Sequence, residues 1–160
     1  IHMAHSEENQ CVMHTHTRAG MALAATKEGL QSVSMVSTDF QGRISYHDYE
    51  GISLYEDERV RLLANLGQNK AMILRNHGLL TVGRTVPETF LRLYRLERAC
   101  QVQIDAAAAG TLNILPSAIA QKSGEEMNQF SENGQDSGIG ALEFLALKRK
   151  LDKIDTSYQQ

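Results

Sequence analysis

Two histidines that lie two positions apart have the residue type and the spacing to bind a metal ion. His14 and His16 end the short segment Cys11-Val12-Met13-His14-Thr15-His16. On a helix, side chains two positions apart diverge by about 200°, whereas on a β-strand they share one face. The segment is short and apolar and is followed by threonine, which predicts a buried strand that leads into a helix. Both imidazoles would then project side by side.

His77 is a third candidate ligand, in the turn-like sequence Asn76-His77-Gly78. Strand-like apolar runs precede and follow it, at residues 71–74 and 79–82. Asn and Gly tolerate left-handed backbone, so this pattern predicts a tight connection between two strands. Three histidines on rigid elements, with one coordination position left open, are typical of catalytic zinc. The alternative is a chance occurrence of polar residues at strand ends, and the added turn favours the metal site.

The motifs HTHT, HDYEG, RNHGLLTVG and LERACQ together resemble those of the class II aldolase/adducin family. The similarity covers residues 11–112 and resumes at 147–158. It implies a divalent metal ion, usually zinc, held by His14, His16 and His77. It also implies an α/β fold, a three-layer α-β-α sandwich around a mixed, mostly antiparallel sheet, in one domain over residues 1–160.

The resemblance implies catalytic groups both inside and outside this sequence. In the family a catalytic glutamate and a glycine/serine-rich phosphate loop precede the paired histidines, at positions that would fall before Ile1. The sequence is therefore expected to be N-terminally incomplete and inactive by itself. Within it, Tyr49 and Glu50 of HDYEG are the candidate catalytic residues, with a solvated turn as the alternative interpretation. The family also uses a tyrosine as proton donor, for which Tyr49 and Tyr158 are the candidates.

Three further residues are expected to support the ligands or contact the substrate. Thr15 and Asn76 are the sequence neighbours of the candidate ligands. Glu97 falls inside the apolar stripe of a predicted helix, where a carboxylate must find a partner or become neutral. It would either orient a ligand histidine or pair with an arginine.

Composition limits the class of protein. A length of 160 residues suits a single domain, and 42% hydrophobic with 22% charged residues is ordinary for a soluble globular protein. The net charge of -3, with interspersed signs, argues against nucleic acid or an anionic membrane as a partner. No apolar run approaches the length that crosses a bilayer. Cys11 and Cys100 lack a CxxC pattern, which predicts reduced buried thiols in a cytoplasmic protein.

Periodicity and capping signals predict the elements that would position these residues. Thr17 is expected to cap a helix from Arg18 to Thr26, and residues 33–40 have strand-like content. A second helix at 57–66 is expected to bury Val60, Leu63 and Leu66. Residues 121–140 are predicted to form a loop, mobile or in contact with a neighbouring subunit, and 142–151 a helix. A long helix after a capping box at Thr85 is expected to end at Gly110 and to bury Phe90, Leu93, Tyr94, Cys100 and Ile104.

The predicted function is a zinc-dependent lyase that cleaves or forms a carbon–carbon bond, in retro-aldol fashion, through a metal-stabilised enediolate. The alternatives are a non-catalytic adducin-like interaction module, a decarboxylase or epimerase of the same superfamily and, with less support, a metal hydrolase. Retention of the three histidines favours an enzyme, because a scaffold has no physical need of them. The expected partners are a small substrate (sugar phosphate, hydroxy-aldehyde or hydroxy-acid) and further copies of the chain in a homotetramer.

Overall fold

The computed structural model describes residues 1, 7–51, 56–133 and 138–159. The described residues form four strands: β1 (Cys11–Thr15), β2 (Ile44–His47), β3 (Ala71–Leu74) and β4 (Gly78–Gly83). The helices are α1 (Arg18–Ala24), α2 (Met35–Thr38), α3 (Glu56–Leu66), α4 (Val86–Ala109), α5 (Ser117–Asn133) and α6 (Ala141–Asp152), followed by a short 3-10 turn at Ser157–Gln159.

The strands form one mixed sheet in the order β1-β4-β3-β2. β4 pairs antiparallel with both β1 and β3, whereas β2 pairs parallel with β3. In the register of the first pair, His14 lies opposite Leu80 and Thr15 lies opposite Leu79. This sheet confirms the predicted mixed, mostly antiparallel arrangement.

Alternating residues of the central strands send their side chains into two separate cores, which gives the predicted three layers. On one face, Ile73 and Leu79 pack with Leu23 of α1 and Leu96 of α4. Each of these four side chains is 0% exposed, and burying a leucine of this kind contributes about 1.5–3 kcal/mol. The opposite face packs against α3 through Leu62, Leu66, Met72, Leu74, Leu80 and Val82.

The long helix α4 begins where its capping signal predicts. The Thr85 hydroxyl accepts a hydrogen bond from the Glu88 backbone N–H, proline follows in the first turn, and Gly110 caps the C-terminal end. Leu93 and Cys100 are buried as predicted. The prediction for Tyr94 is wrong, because its side chain is 46% exposed.

Two shorter segments differ from the sequence predictions. Residues 33–40 contain the helix α2 rather than a strand, because Ser34 and Ser37 satisfy each other's backbone N–H groups in a capping box. In α3 the predicted core residue Val60 is 70% exposed, whereas Leu66 is buried. The helix is thus rotated so that its face with Leu62 and Leu66 packs on the sheet.

The prediction of a loop over residues 121–140 is wrong for most of that range. The helix α5 extends through Asn133, and residues 134–137 lie outside the described part of the chain. The polar composition of this segment led to the loop prediction, but the helix packs through two small residues, Ala120 and Gly124, which are both buried. A Cβ at Gly124 would lie 2.5 Å from the Thr38 carbonyl oxygen, so α5 and α2 approach closely there.

Over the described ranges, none of the helices combines the length and the hydropathy that a membrane span requires.

Candidate metal centre

The three predicted ligands meet at one end of the sheet. His14 lies in β1, His16 follows it directly, and His77 lies in the connection between β3 and β4. One ligand nitrogen from each side chain lies within 4.8 Å of the other two. The ring centroids of the three pairs are 4.5–4.8 Å apart. The three imidazoles are therefore close enough together to bind one metal ion.

The connection that carries His77 has the backbone conformation expected from its sequence. Asn76 has a φ of 56°, in the left-handed region that asparagine and glycine tolerate. Its N–H donates to the Ala24 carbonyl at 2.9 Å, and the His77 N–H donates to the Leu74 carbonyl at 3.0 Å. Both bonds fix the turn against α1 and β3.

Gly78 is required for β1 and β4 to meet at the histidines. A Cβ at this position would lie 2.3 Å from the Thr15 carbonyl oxygen. It would also lie 3.2 Å from carbon atoms of both the His14 and the His16 rings. Since the backbone atom cannot move aside easily, any side chain here would separate the strands that hold the ligands.

A backbone contact assigns the proton of His14. Its Nδ1 lies 2.7 Å from the Leu79 carbonyl oxygen, which only accepts, so Nδ1 carries the hydrogen and Nε2 keeps a lone pair. This Nε2 lies 2.7 Å from Nε2 of His16. Two imidazole nitrogens this close are stable only with a proton or a cation between them.

The donor set fits a tetrahedral zinc ion. Zinc binds imidazole nitrogen at about 2.0–2.1 Å, so two ligand nitrogens of a tetrahedral site lie about 3.3 Å apart. The His14 and His16 nitrogens would have to separate by about 0.6 Å from their 2.7 Å contact, and ligand nitrogens as far apart as 4.8 Å would have to approach by about 1.5 Å, so the rings must rotate when the ion binds. A carbonyl bond to the other ring nitrogen, as His14 makes, is the usual support of a metal-binding histidine.

Electrostatics favours the neutral, ligand form of His77. Burial lowers the pKa of the His77 imidazole, and the neighbouring charges of His14 and His16 lower this pKa further. The carboxylate of Glu58 acts in the opposite direction on the same pKa. A lowered pKa leaves the lone pair of His77 available at neutral pH.

Of the candidate catalytic residues, Tyr49 is the one whose side chain lies beside a candidate ligand histidine. Its ring centroid is 6.3 Å from that of His77, and its side chain is 54% exposed. The Tyr158 hydroxyl instead donates to Asp152, the last residue of α6. The structure thus places Tyr49, rather than Tyr158, against a predicted ligand.

Glu50 is held by an arginine. The Arg61 Nε donates to both carboxylate oxygens, at 2.8 and 3.0 Å, and Arg61 also pairs with Asp57. The hydrogen bond from Arg61 lowers the pKa of Glu50 below its ordinary value. A carboxylate in this state is a weak base at neutral pH.

The remaining predicted residues are Thr15, whose buried hydroxyl has no hydrogen-bond partner among the described residues, and Glu97. Alternation along β1 places Thr15 on the opposite face from His14 and His16. Glu97 accepts hydrogen bonds from Thr17 Oγ1 at 2.5 Å and from Gln101 Nε2 at 3.0 Å. Its partners are therefore neutral donors, whereas an arginine was the expected partner. Thr17 precedes α1 but makes no side-chain cap bond, which differs from the prediction. Glu97 thereby ties α4 to the residue that follows His16.

Sequence reasoning missed a buried histidine beside this site. His47, at the end of β2, is 4% exposed and has its Nδ1 2.9 Å from Asn65 Nδ2. Its Nε2 lies 3.6 Å from a carboxylate oxygen of Glu58 and has no hydrogen-bond partner among the described residues. The alternation in Ile-Ser-Tyr-His would place Ser45 and His47 on the polar, exposed face, yet these two are the buried positions, so the local sequence carries no signal for the burial of His47.

Comparison with known proteins gives consistent matches. Residues 1–104 match the family model described as the class II aldolase and adducin N-terminal domain. Alpha-adducin of Rattus norvegicus is 37% identical over 154 residues, which cover 91% of this chain and 21% of the adducin.

Two solved structures share the fold. The crystal structure of an aldolase II superfamily protein from Pseudomonas syringae superposes with a TM-score of 0.86 at 42% identity, covering 100% of this chain and 62% of that one. An L-fuculose 1-phosphate aldolase from Glaciozyma antarctica PI12 gives a TM-score of 0.67 at 33% identity, covering 79% of this chain and 47% of that one. The chain therefore spans less than two thirds of the length of either structure.

Proposed function

The chain belongs to the class II aldolase and adducin family, and on this basis we propose that it is a divalent-metal-dependent lyase that cleaves or forms a carbon–carbon bond. The observation that carries the proposal is the convergence of three imidazoles within 4.8 Å. A retro-aldol step places negative charge on an oxygen next to the carbon that is released. An ion bound by the histidines would supply the Lewis acid that stabilises such charge.

The proposed ligands are His14, His16 and His77, with zinc as the ion. All three are neutral donors when they bind, so the full positive charge of the ion remains available to a substrate oxygen. The bond from His14 Nδ1 to the Leu79 carbonyl holds that ring in the tautomer that presents Nε2. The turn at Asn76 and Gly78 holds His77 across from it.

Tyr49 is proposed to donate or accept a proton at the substrate. Its exposed ring contacts His77, so a substrate that reached the histidines would pass close to the phenol. Glu50 is proposed to hold this loop through Arg61, since its lowered pKa makes it a poor proton acceptor. The family resemblance assigns the base to a glutamate that would precede Ile1, so activity is proposed for a protein that contains it.

The proposed substrate is a small hydroxy-carbonyl compound, with a sugar phosphate as the first choice. The support is the likeness to a protein named as an L-fuculose 1-phosphate aldolase. A homotetramer is proposed on the same family basis, and a cytoplasmic location is proposed from the two cysteines without a CxxC pattern.

Metal content and turnover test this proposal together. Elemental analysis of untagged protein, purified without chelators, is expected to give close to one divalent ion per chain, with the His77→Ala variant as the metal-free control. Retro-aldol cleavage is then assayed on sugar phosphates and short hydroxy-aldehydes, with epimerisation and decarboxylation followed on the same panel. Absence of metal, together with no binding of added zinc, would rule the proposal out.

An adducin-like interaction module is the second candidate, favoured by the 37% identity to alpha-adducin. Such a module keeps the fold without turnover. Metal-loaded protein that includes the family's glutamate and yet converts no compound on the panel would favour this alternative. Turnover that disappears in His77→Ala would exclude it.

A further inference from the structure

A cavity of about 520 Å³ lies at the end of the sheet opposite the histidines. Ala71, the first residue of β3, and Arg84, which follows β4, both line it. His77 lies at the other ends of the same two strands. The six residues of β4 span about 17 Å. The cavity is therefore separate from the candidate metal centre.

Positive charge exceeds negative charge around this cavity. Three carboxylates line it: Glu8, Asp39 and Glu88. Five cationic side chains line it as well: Arg43, Lys70, Arg84, Arg92 and Arg95. The excess of two positive charges is local, because the chain as a whole carries a net charge of -3. A concave surface with one sign of charge in excess concentrates ligands of the opposite sign.

Most of the cations already have carboxylate partners, but Arg43 does not. Arg92 pairs with Glu88 at 2.9 Å, and Arg95 pairs with Asp39 at 3.2 Å. Lys70 and Arg84 share the single carboxylate of Glu8, at 2.6 and 3.9 Å, so one of these two positive charges is in excess. The partly buried Arg43 guanidinium donates to the Gly124 carbonyl at 3.1 Å and forms no ion pair within the described ranges. A guanidinium has five N–H donors, so Arg43 keeps donors for an added oxyanion. Such an anion would also give Arg43 a direct ion-pair partner, which the more distant carboxylate of Asp39 does not.

Asp39 provides a second unsatisfied group in the same wall. Its Oδ1 is buried and has no hydrogen-bond partner among the described residues. Burial raises the pKa of Asp39 although Arg95 and Arg43 lower it. A hydroxyl group of a bound ligand could donate a hydrogen bond to this Oδ1 oxygen.

The rest of the wall suits an organic group. Phe40, Leu91, Met127 and Ile139 contribute apolar surface to the cavity. The volume of about 520 Å³ lies within the range of small-molecule sites and far exceeds the needs of one inorganic ion. Two excess positive charges match a phosphate monoester dianion.

We propose that this cavity binds a small phosphate monoester, with Arg43 and Arg84 as its phosphate contacts and the apolar wall around its organic part. The proposal does not depend on metal binding or on lyase activity at the histidines. It defines a second site, at the opposite end of the sheet.

Isothermal titration calorimetry on chelator-treated, metal-free protein tests the proposal, with inorganic phosphate and glycerol 3-phosphate as probes. The variants are Arg43→Gln and the more exposed Arg84→Gln, and circular dichroism checks that each is folded. Arg149→Gln on α6 is the matched control, because it removes the same charge from an exposed position outside the cavity. His77→Ala tests whether the probes bind at the histidines instead.

Glycerol 3-phosphate is expected to bind more tightly than inorganic phosphate. Each cavity variant is expected to weaken the binding of glycerol 3-phosphate by about tenfold, as the loss of one charge-assisted hydrogen bond predicts. Arg149→Gln and His77→Ala are expected to change it less than about twofold. No binding up to about 10 mM, equal weakening by Arg149→Gln, or loss of binding in His77→Ala would each overturn the proposal.

Discussion

At the scale of single residues, the candidate site depends on which histidine nitrogens carry protons. The Leu79 carbonyl fixes the tautomer of His14, and burial lowers the pKa of His77. Both effects keep nitrogen lone pairs free where the rings converge. The close contact between the Nε2 atoms of His14 and His16 is the arrangement that a bound cation would stabilise.

Replacing one ligand is expected to remove the metal without unfolding the chain. His77→Ala should lose nearly all bound zinc, because two remaining histidines do not complete the site. The free energy of unfolding of the metal-free protein should change by less than about 1 kcal/mol, since apolar packing holds β3 and β4. Zinc content and urea denaturation measure the two effects, and Tyr49→Phe is the control that should keep its metal. An unfolded His77→Ala variant would show that the ion is structural.

The ion pair of Glu50 and Arg61 predicts a pH-dependent stability. The folded-state pKa of Glu50 lies below its ordinary value of 4.5, so the folded chain binds fewer protons than the unfolded chain just below that pH. The stabilisation is therefore present above pH 4.5 and is lost as the pH falls through the folded-state pKa.

Glu50→Gln should accordingly lower the Tm at pH 7, and this difference should shrink below pH 4.5. Thermal melts from pH 7 down to pH 3 measure it. Glu125→Gln, at an exposed position on α5, is the control. A difference in Tm that stays constant over this range would contradict the assignment of the Arg61 pair.

At the scale of elements, local sequence signals predicted those parts of the fold that short-range bonds determine. The N-cap hydrogen bond at Thr85, the left-handed Asn76 and the strand spacing of His14 and His16 all act within a few residues. For this reason β1, the His77 turn and α4 were predicted from the sequence.

Long-range contacts determine what the sequence did not predict. The burial of His47 depends on Asn65, 18 positions away. The helix α5 is polar and packs through Gly124 against Thr38 of α2, a contact that composition does not reveal. For α2 a local signal was present, the reciprocal pair Ser34 and Ser37, but β-branched residues in the segment suggested a strand.

The contact of β1 with β4 at the histidines predicts the effect of Gly78→Ala. The new methyl group would collide with the Thr15 carbonyl and with two ligand rings, which should cost about 1–3 kcal/mol of stability and weaken zinc binding. Gly67→Ala is the control: its φ is 55° and the nearest atom is 3.9 Å away, so only backbone strain of about 1–2 kcal/mol is expected. Urea denaturation and zinc titration compare the variants. Unchanged zinc affinity in Gly78→Ala would show that the strands separate without moving the ligands.

The buried face of α4 predicts the reactivity of the two cysteines. Cys100 is 0% exposed, and burial, with a smaller contribution from the charge of Glu97, raises the pKa of its thiol to about 12. Cys11 is partly exposed in β1. A colorimetric thiol titration at pH 8 should therefore detect at most one reactive thiol in the native protein and two after denaturation. Two rapidly reacting thiols in the native state would mean that α4 opens readily.

At the scale of the whole molecule, two ends of one sheet carry different chemistry. The histidines lie at one end, and a cavity with excess positive charge lies at the other. The central strands β3 and β4 are buried along their whole length between the two ends. This rigid sheet can keep both sites in place without any contact between them.

The surface of α6 predicts self-association. None of the residues of α6 is buried. The helix and the segment that follows it expose six large apolar side chains: Leu142 (59%), Leu145 (50%), Leu147 (38%), Leu151 (44%), Ile154 (74%) and Tyr158 (46%). Large apolar side chains exposed in this number on one short segment are typical of a surface that contacts another protein. With the family resemblance, this leads us to expect a homotetramer that uses α6 as one contact.

Light scattering at micromolar concentration should therefore give the mass of four chains. The double variant Leu151→Glu, Ile154→Glu should lower that mass, because burying two unpaired carboxylates in an apolar contact is costly. Lys150→Glu is the control, since it adds negative charge at a neighbouring exposed position. Circular dichroism checks that both variants keep their helical content. A monomeric wild-type chain would contradict the expected assembly, whereas a tetramer unchanged by the double variant would place the contact on another surface.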